Sequence, residues 1–447
     1  MSPDNRSATL GHTGAVLIAV MGLSSPFWAV AQTNVSPSAE QAHVAYRINP
    51  GDTFNDIWSR FVQPDADRQQ VLQLNQITNM NRISVGTELL LPRNILRFTP
   101  AVANVVSLTC AQPILVGTSE QALAVGNNVT EGDVVRVPAD CHVTLAVEDG
   151  SVIRLPSSAT LKFTALRKNA IEPEPEVRLD LVRGRVEISV KKNRSRSTPF
   201  EVTTPKAVMG VRGTEFRVGY SPEDETAQVE VLTGTVSAQG GQDAKGQNVE
   251  KGYGLPIDAL GRAQDLEQLL PPPKFASAQR IMPPTPGRWL NLAPMVEAKT
   301  YLASSASTAN LGGTRYTQTL KDPRVPVGYL DDNAVFYEFM AIAQSGLYGQ
   351  PIRYGFCQPT SASERCNVIF DVPLADGVPM TIDLDRVQTQ TATSVIKGHT
   401  IKARLGRFSI QNLAPGRYQW SLRHLLRNVE VNQTGQFELV AIGREQP

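Results

Sequence analysis

Between Cys110 and Pro256 apolar and polar residues alternate in short runs broken by turn residues, which is the period of half-buried strands. Val129–Val134 (VTEGDV) reads as strand, turn, strand. Val143–Val147 alternates, Asp149-Gly150 is a hairpin dipeptide, and Val152–Leu155 returns. A loose unit, apolar-x-x-Gly-x-Val, recurs at Val147–Val152, Leu181–Val186 and Val231–Val236, around Gly150, Gly184 and Gly234. The unequal spacing excludes a strict repeat. Strand–corner–strand units stacked on one another nevertheless predict a β-solenoid or a rolled sheet.

The period differs on the N-terminal side. Tyr46-Arg47-Ile48 alternates as a short strand, and Gly51-Asp52-Thr53 gives a turn. Phe54, Ile57 and Phe61 then share one face of a helix over Phe54–Phe61, with Asp52 or Thr53 placed to cap it. A second helix is predicted over Asp65–Leu74, carrying Val71, Leu72 and Leu74 inward. Asn75 opens the connection to a closing strand, Thr87–Leu91, which Pro92 ends.

Toward the C-terminus, Pro271-Pro272-Pro273 and Pro283-Pro284-Thr285-Pro286 bracket an extended, semi-rigid linker. Beyond it Tyr337, Phe339 and Phe356 are matched, at one constant offset, by Tyr418, Trp420 and Phe437. In both copies an alternating aromatic strand precedes a Gly-containing turn and a final strand. At the other end, Ala15–Leu23 (AVLIAVMGL) is an apolar core preceded by Arg6 and followed by Ala29-Val30-Ala31. That is the pattern of a secretory signal cleaved before Gln32. The competing reading, an uncleaved anchor, meets Ser24, Ser25 and Pro26 well short of the ~20 apolar residues a span needs. A mature chain exported from the cytoplasm is expected.

One stretch organises the middle of the chain: Thr203–Val218, TTPKAVMGVRGTEFRV. Its β-formers are interrupted by Gly210 and Gly213 and by Arg212 and Glu215. Glycine inside a strand pattern marks a bend or a close approach, because no Cβ blocks positive φ. Charged residues in such a run are rarely buried unless paired. Two short strands joined at a glycine corner are predicted, with an Arg212–Glu215 ion pair inside. Thr204, Pro205, Ala207, Gly210, Val211, Arg212, Gly213, Thr214 and Phe216 match the FecR signature T-P-x-A-x-x-G-V-R-G-T-x-F, so residues 108–262 resemble a FecR domain. The resemblance implies a periplasmic, solenoid-like β module. Some such modules belong to regulators that receive a signal from an outer-membrane receptor.

The N-terminal unit, residues 44–94, resembles the LysM module. The matching positions are Tyr46, Gly51, Asp52, Thr53, Asn75, Ile77, Ile83, Gly86, Leu89, Leu91 and Pro92, with Phe54 and Ile48 in place of the usual Leu and Val. The resemblance implies a βααβ fold that binds N-acetylglucosamine glycans, chiefly peptidoglycan, in a shallow groove. Its walls here are Gly51, Asp52, Thr53 and Phe54 on one side and Asn75, Gln76, Ile77, Thr78 and Asn79 on the other. Asp52, Thr53 and Asn75 also have structural readings, as helix caps and as a backbone tie. A scaffold module that has lost its glycan stands beside the binding one. In the C-terminal part, Leu413-Ala414-Pro415-Gly416-Arg417-Tyr418 resembles the entry to a core strand of fibronectin type III or immunoglobulin-like sandwiches. Two such modules are expected, over 287–357 and 367–441, after a linker at 271–286.

Composition changes this picture little. The 447 residues are too many for one typical domain, and 31 prolines with 33 glycines suit short strands and turns. A net charge of +1 gives no electrostatic case for nucleic acid. Four cysteines follow the signal, none in a C-x-x-C, so metal binding is not expected and disulfides are. The economical pairing is Cys110–Cys141 and Cys357–Cys366; free thiols remain the alternative. Lys191–Arg196 reads as a solvated hairpin tip and Glu172–Glu176 as a stiff acidic spacer.

No catalytic constellation is visible. His43, His142, His399 and His424 are isolated, and there is no G-x-S-x-G or P-loop. The expectation is a non-enzymatic, cofactor-free, multidomain and mainly β binding protein. A LysM-like module would hold it on peptidoglycan, and a FecR-like domain would meet an unidentified envelope protein. The rival is a periplasmic signalling component driven by an outer-membrane protein. Only about fourteen residues precede the apolar core, too few for the sigma-factor-controlling segment of the family's transmembrane regulators.

Overall fold

The computed structural model describes residues 43–110, 115–117, 121–191, 198–276, 288–311, 314–327, 330–359, 365–371, 380–387, 395–403, 407–426 and 429–442. The expected signal segment, the Lys191–Arg196 run beyond Lys191 and residues 277–286 of the expected linker lie outside them. The protein is mainly β: 57% of the described residues are strand, and the two α-helices among them are both in the first module.

In that module, strand β1 (His43–Arg47) pairs antiparallel with β2 (Glu88–Pro92), Tyr46 opposite Leu89. Helix α1 spans Phe54–Phe61, as its apolar spacing predicts, and buries Phe54, Ile57, Trp58 and Phe61. Helix α2 covers Arg68–Leu74 rather than starting at Asp65. The Asp67 carboxylate accepts from Gln69 N–H and so fixes the first turn there. Of its apolar residues only Val71 is fully buried. The module is closed by its own core, from Val44 to Leu96.

The central domain is one 16-stranded sheet around one large core, with a small second cluster of Val106, Ala146 and Val152. Three of its strands are long: Glu176–Ser189, Ala207–Ser221 and Thr226–Gly240. Each bends once, at a glycine with positive φ: Gly184 (83°), Gly213 (59°) and Gly234 (78°). At each bend the strand changes neighbours. Thr226–Gly240 pairs with Tyr253–Ile257 before Gly234 and with Gln247–Glu250 after it. Ala207–Ser221 pairs with Phe200–Thr204 before Gly213 and with Glu176–Ser189 after it. Phe163, Phe200 and Phe216 are wholly buried inside the turn of the sheet, each contributing about 1.5–3 kcal/mol of transfer free energy. Two short strands were expected over the signature; the structure has one long strand, kinked where expected.

That kink has a polar lock. Thr214 Oγ donates to Thr235 C=O (3.0 Å), and its carbonyl accepts from Val190 N–H (2.9 Å). Thr204 Oγ accepts from Ala207 N–H (3.0 Å) at the preceding turn. Of the expected Arg212–Glu215 pair, the Arg212 side chain lies outside the described residues. Both disulfides form as paired in the sequence reading. Cys110–Cys141 joins the ends of strands Ala103–Thr109 and His142–Val147, and Cys357–Cys366 joins Ile352–Cys357 to Cys366–Asp371.

Beyond residue 288 the two aromatic copies share an eight-stranded sheet. They meet where Ile352–Cys357 runs parallel to Val429–Ala441. Successive side chains on a strand face opposite ways, and here the two faces carry different cores. Tyr337, Phe339 and Phe356 enter a core covered by Leu290 and Val325 of a two-stranded sheet. Tyr418, Trp420 and Phe437 enter the other, covered by Phe370 and Ile410 of a second. The described end of the linker packs as well: the Phe275 ring lies 4.8 Å from that of Tyr354.

Candidate functional site

The loop Gly51–Phe54 is shaped by turn and cap chemistry. Gly51 takes φ of 89°, open to glycine at no cost. The Asp52 carboxylate accepts from Tyr46 O–H (2.7 Å), Asn49 N–H (2.9 Å) and Arg60 Nη (3.2 Å). The Tyr46 hydroxyl first, then the Asn49 amide, hold its carboxyl below the ordinary 3.8. Thr53 is the helix cap: its Oγ accepts from Asp56 N–H (3.1 Å) and donates to the Asp56 carboxylate (2.6 Å). Phe54 turns inward and stacks on Trp58. The exposed surface of this loop is therefore Gly51 and Thr53.

In the second loop, Asn75 is fully engaged. Its amide donates to Val71 C=O and Leu90 C=O (both 2.8 Å), and its carbonyl accepts from Leu90 N–H (2.7 Å). Gln76 follows at φ of 54°, a left-handed position that lifts its side chain into solvent. Ile77 packs back on the module core, while Thr78 and Asn79 are exposed. Both loops are tied to the same strand pair, through Tyr46 and through Leu90. Tyr46 faces Leu89 and Ala45 faces Leu90, so the anchors occupy neighbouring rungs. The arrangement offers exposed backbone with Thr53, Gln76, Thr78 and Asn79, and no cationic cluster. Such a surface suits a neutral polyhydroxylated ligand through hydrogen bonds of ~1 kcal/mol net each.

Family models match two parts of the chain: LysM domain over residues 46–92, and FecR protein over residues 133–237. The chain carries a LysM domain followed by a FecR domain. Among curated proteins none matches it. Similar solved structures include a candidate anti-sigma factor from Parabacteroides distasonis, 19% identical over 33% of this chain, with a TM-score of 0.26. The chain covers 61% of that protein's length. Others are the FN1–FN3 domains of chicken CNTN1 (10% identical, covering 57% of this chain and 98% of that one, TM-score 0.15) and the extracellular domain of a candidate one-component system, BT4673, from B. thetaiotaomicron (11% identical, covering 80% and 61%, TM-score 0.13).

The junction of the LysM and FecR domains escaped the sequence reading. Glu172–Glu176, expected as an acidic spacer, is buried: Glu172 and Glu174 are 8% exposed and Glu176 is 2%. Arg93, just past the LysM match, makes a two-pronged pair with Glu172 (2.8 and 2.7 Å). Asn169 Nδ2 holds the same carboxylate at 2.7 Å, and Ile171 packs on the LysM core. Glu176 is met by Arg178 at 2.7 Å and Arg167 at 3.4 Å. The prolines at 173 and 175 signal an extended backbone but not whether the carboxylates beside them are solvated or paired. Among the described residues no group of His, Cys, Asp and Glu is placed to hold a metal ion.

Proposed function

We propose that this protein is an exported, non-enzymatic envelope adaptor that holds peptidoglycan, or another N-acetylglucosamine glycan, through its LysM domain. The FecR domain and the C-terminal sheet present surfaces to an envelope protein. The observation that carries the reading is the LysM domain itself, with two loops tied to one strand pair and exposed polar residues at Thr53, Gln76, Thr78 and Asn79. The finer architecture belongs to the same reading: a solenoid-like FecR domain rolled about its glycine bends, and sandwich-like modules after it. Tyr418 supports the last point, since its hydroxyl donates to Ala414 C=O (2.7 Å) at the start of its strand, as in the tyrosine corner of immunoglobulin-like domains. Periplasmic location after signal cleavage completes the proposal. Among the described residues no helix is long and apolar enough to cross a membrane.

The test is co-sedimentation of the mature chain with purified peptidoglycan, competed by chitin oligosaccharides. A shallow groove with a few neutral hydrogen bonds predicts Kd of about 1 μM to 1 mM, or about −8 to −4 kcal/mol, with little dependence on salt. Replacing Gln76 and Thr78 together with Ala should weaken retention without changing the melting temperature. A folded chain that stays in the supernatant at sub-millimolar concentration sinks the glycan reading.

A second reading, signal reception from an outer-membrane protein, is favoured by one contact. Arg217, on the signature strand, donates to the backbone carbonyls of Tyr348 (3.3 Å) and Gly349 (3.1 Å) in the C-terminal module. The contact offers a path by which a force or ligand acting on one domain would reach the other. Deuterium exchange at residues 343–350 with and without outer-membrane extract separates the two readings: unchanged protection removes this one.

A further inference from the structure

In the C-terminal sheet, strands Ile352–Cys357 and Val429–Ala441 are paired for only part of their length. Their parallel ladder begins at Tyr354 opposite Glu438 and ends at Cys357 opposite Ala441. On its other edge Val429–Ala441 pairs with Gly416–Leu426 all the way from Val429 to Leu439, with no shift of register. Before Glu438 the strand therefore keeps one neighbour and loses the other, and the sheet forks. A cavity of about 950 Å³ reaches into the fork, lined by Thr434, Gly435 and Gln436 on one side and Pro351, Ile352 and Arg353 on the other. Consecutive strand residues point to opposite faces, so a void touched by three in a row follows the strand's edge rather than one face.

The two edges of the fork are served differently. Beside Ile352, the FecR domain and the chain that follows it supply the partners. The Glu230 carboxylate accepts from Tyr348 N–H (3.0 Å), Arg217 donates to the carbonyls of Tyr348 and Gly349, and Leu270 C=O accepts from Gln350 N–H (2.9 Å). On the other edge, no strand among the described residues pairs with residues 430–437. Along an antiparallel strand, N–H and C=O point alternately to the two edges. Ile442 N–H donates to Cys357 C=O (2.9 Å), which puts the even-numbered residues on the fork side. Asn432, Thr434 and Gln436 thus aim their backbone groups into the fork, and all three residues are exposed. The run 432–436 (NQTGQ) has no Lys, no Pro and no bulge, the devices that usually blunt a free edge. Charge offers an occupant little here: Arg353 is matched by Glu338 and Asp383 by Arg423, each at 2.7 Å.

We infer that the fork takes up an extended segment of another polypeptide, added as a strand along residues 432–436 and held through its backbone. Donor and acceptor recur together about every 7 Å along this edge, which is the repeat of a second strand's own N–H and C=O. That match favours a polypeptide over a saccharide. The added strand continues an interface already present in the chain, since it lies beside the Arg217 contact that joins the FecR domain to the C-terminal sheet. The inference rests on the reading that this sheet meets an envelope protein, and names the surface; it does not depend on glycan binding by the LysM loops.

Titration of the mature chain with end-capped heptapeptides, Thr alternating with Val, Tyr, Gln or Ser, tests the inference. At least one should bind with Kd below about 1 mM and slow hydrogen exchange at residues 429–437. Only one edge of the added strand bonds to the sheet. N-methylation of alternate residues should therefore weaken binding about tenfold or more in one phase and by less than about twofold in the other. Thr434→Pro removes a donor on the fork side and none from the ladder to Gly416–Leu426, so binding should be lost while the melting temperature holds. Should that variant fail to fold, the two methylation phases still decide. No binding by any heptapeptide at about 10 mM, equal effects of both phases, or protection elsewhere in the chain overturns the inference. Protection of residues 429–437 by chitin oligosaccharides and by no peptide assigns the edge to a saccharide and overturns it too. An envelope protein cross-linked equally by the parent and by Thr434→Pro keeps the adaptor reading but overturns this edge as its surface.

Discussion

In the LysM domain the turn and cap contacts are close in sequence. Thr53 caps a residue three positions on, Asp52 ties Tyr46 six positions back, and Asp67 caps α2 two positions on. In the FecR domain they are remote. Thr214 reaches Thr235, Arg185 reaches Glu230 and Gln228, and Gly184 lies against Ser158, where a Cβ would come within 2.6 Å of the carbonyl oxygen. Turn and cap chemistry can specify a module of about fifty residues because each device closes on itself. A rolled sheet has no such devices between distant strands, so it relies on glycines that permit the bend and on a core that rewards it.

The most damaging test removes the link between the two. Arg93→Ala strands the buried Glu172 carboxylate and should cost about 3–5 kcal/mol, read as separate, earlier melting of the LysM domain. Replacing both partners with Met should restore most of that loss, because buried pairs gain little over apolar packing. If the single substitution is silent, the junction is not a structural unit.

Gly213→Val acts on the FecR side only. It forces a β-branched residue to φ of 59°, at about 1–3 kcal/mol, and should lower the FecR transition in calorimetry while the LysM transition stays. Equal loss in both transitions would mean that the two domains unfold as one unit. Thr53→Ala is the reciprocal: loss of one cap, about 1 kcal/mol, confined to the LysM transition.

The smallest effects differ in sign with pH. Asp52 has a folded-state pKa below 3.8, so its contribution is present above that pH and lost as pH falls through the folded value. Asp52→Asn should therefore weaken the LysM domain at neutral pH and converge with the parent in acid. Asp180, in the FecR core region, is raised by burial against a weaker opposing effect of Lys162. Its contribution is greatest below 3.8 and lost as pH rises through the folded value. Asp180→Asn should stabilise the FecR transition at neutral pH, with the gain vanishing below pH 3.8. Melting curves against pH that move in the same direction for both variants would remove the contrast.

The residues that were legible are those whose constraint is local. The helix Phe54–Phe61 follows from apolar spacing and a cap, and it was placed to the residue. Gly150, Gly184, Gly213 and Gly234 were singled out as corners, and all four have positive φ, which other residues enter only with strain. Of the candidate loop residues, Asn75 proves to be a backbone tie. The sequence could not show the buried run at Glu172–Glu176, because whether a carboxylate is solvated or paired depends on Arg93, some eighty positions away.

By itself, then, the sequence determined the mainly β composition and the positions of the bends, which rest on side-chain size and backbone freedom within a few residues. The two N-terminal domain types were legible as resemblances carried by whole motifs, and the disulfide pairing stood beside free thiols until the fold brought the cysteines together. Tertiary structure alone decided that each long strand changes neighbours at its glycine. It also decided that the aromatic repeat puts equivalent rings on opposite faces of one sheet, and that Glu215, Arg217 and Arg353 meet across a cavity. The physical reason is that a strand's edge hydrogen bonds accept any partner of suitable register, so the choice falls to the packing of the whole core.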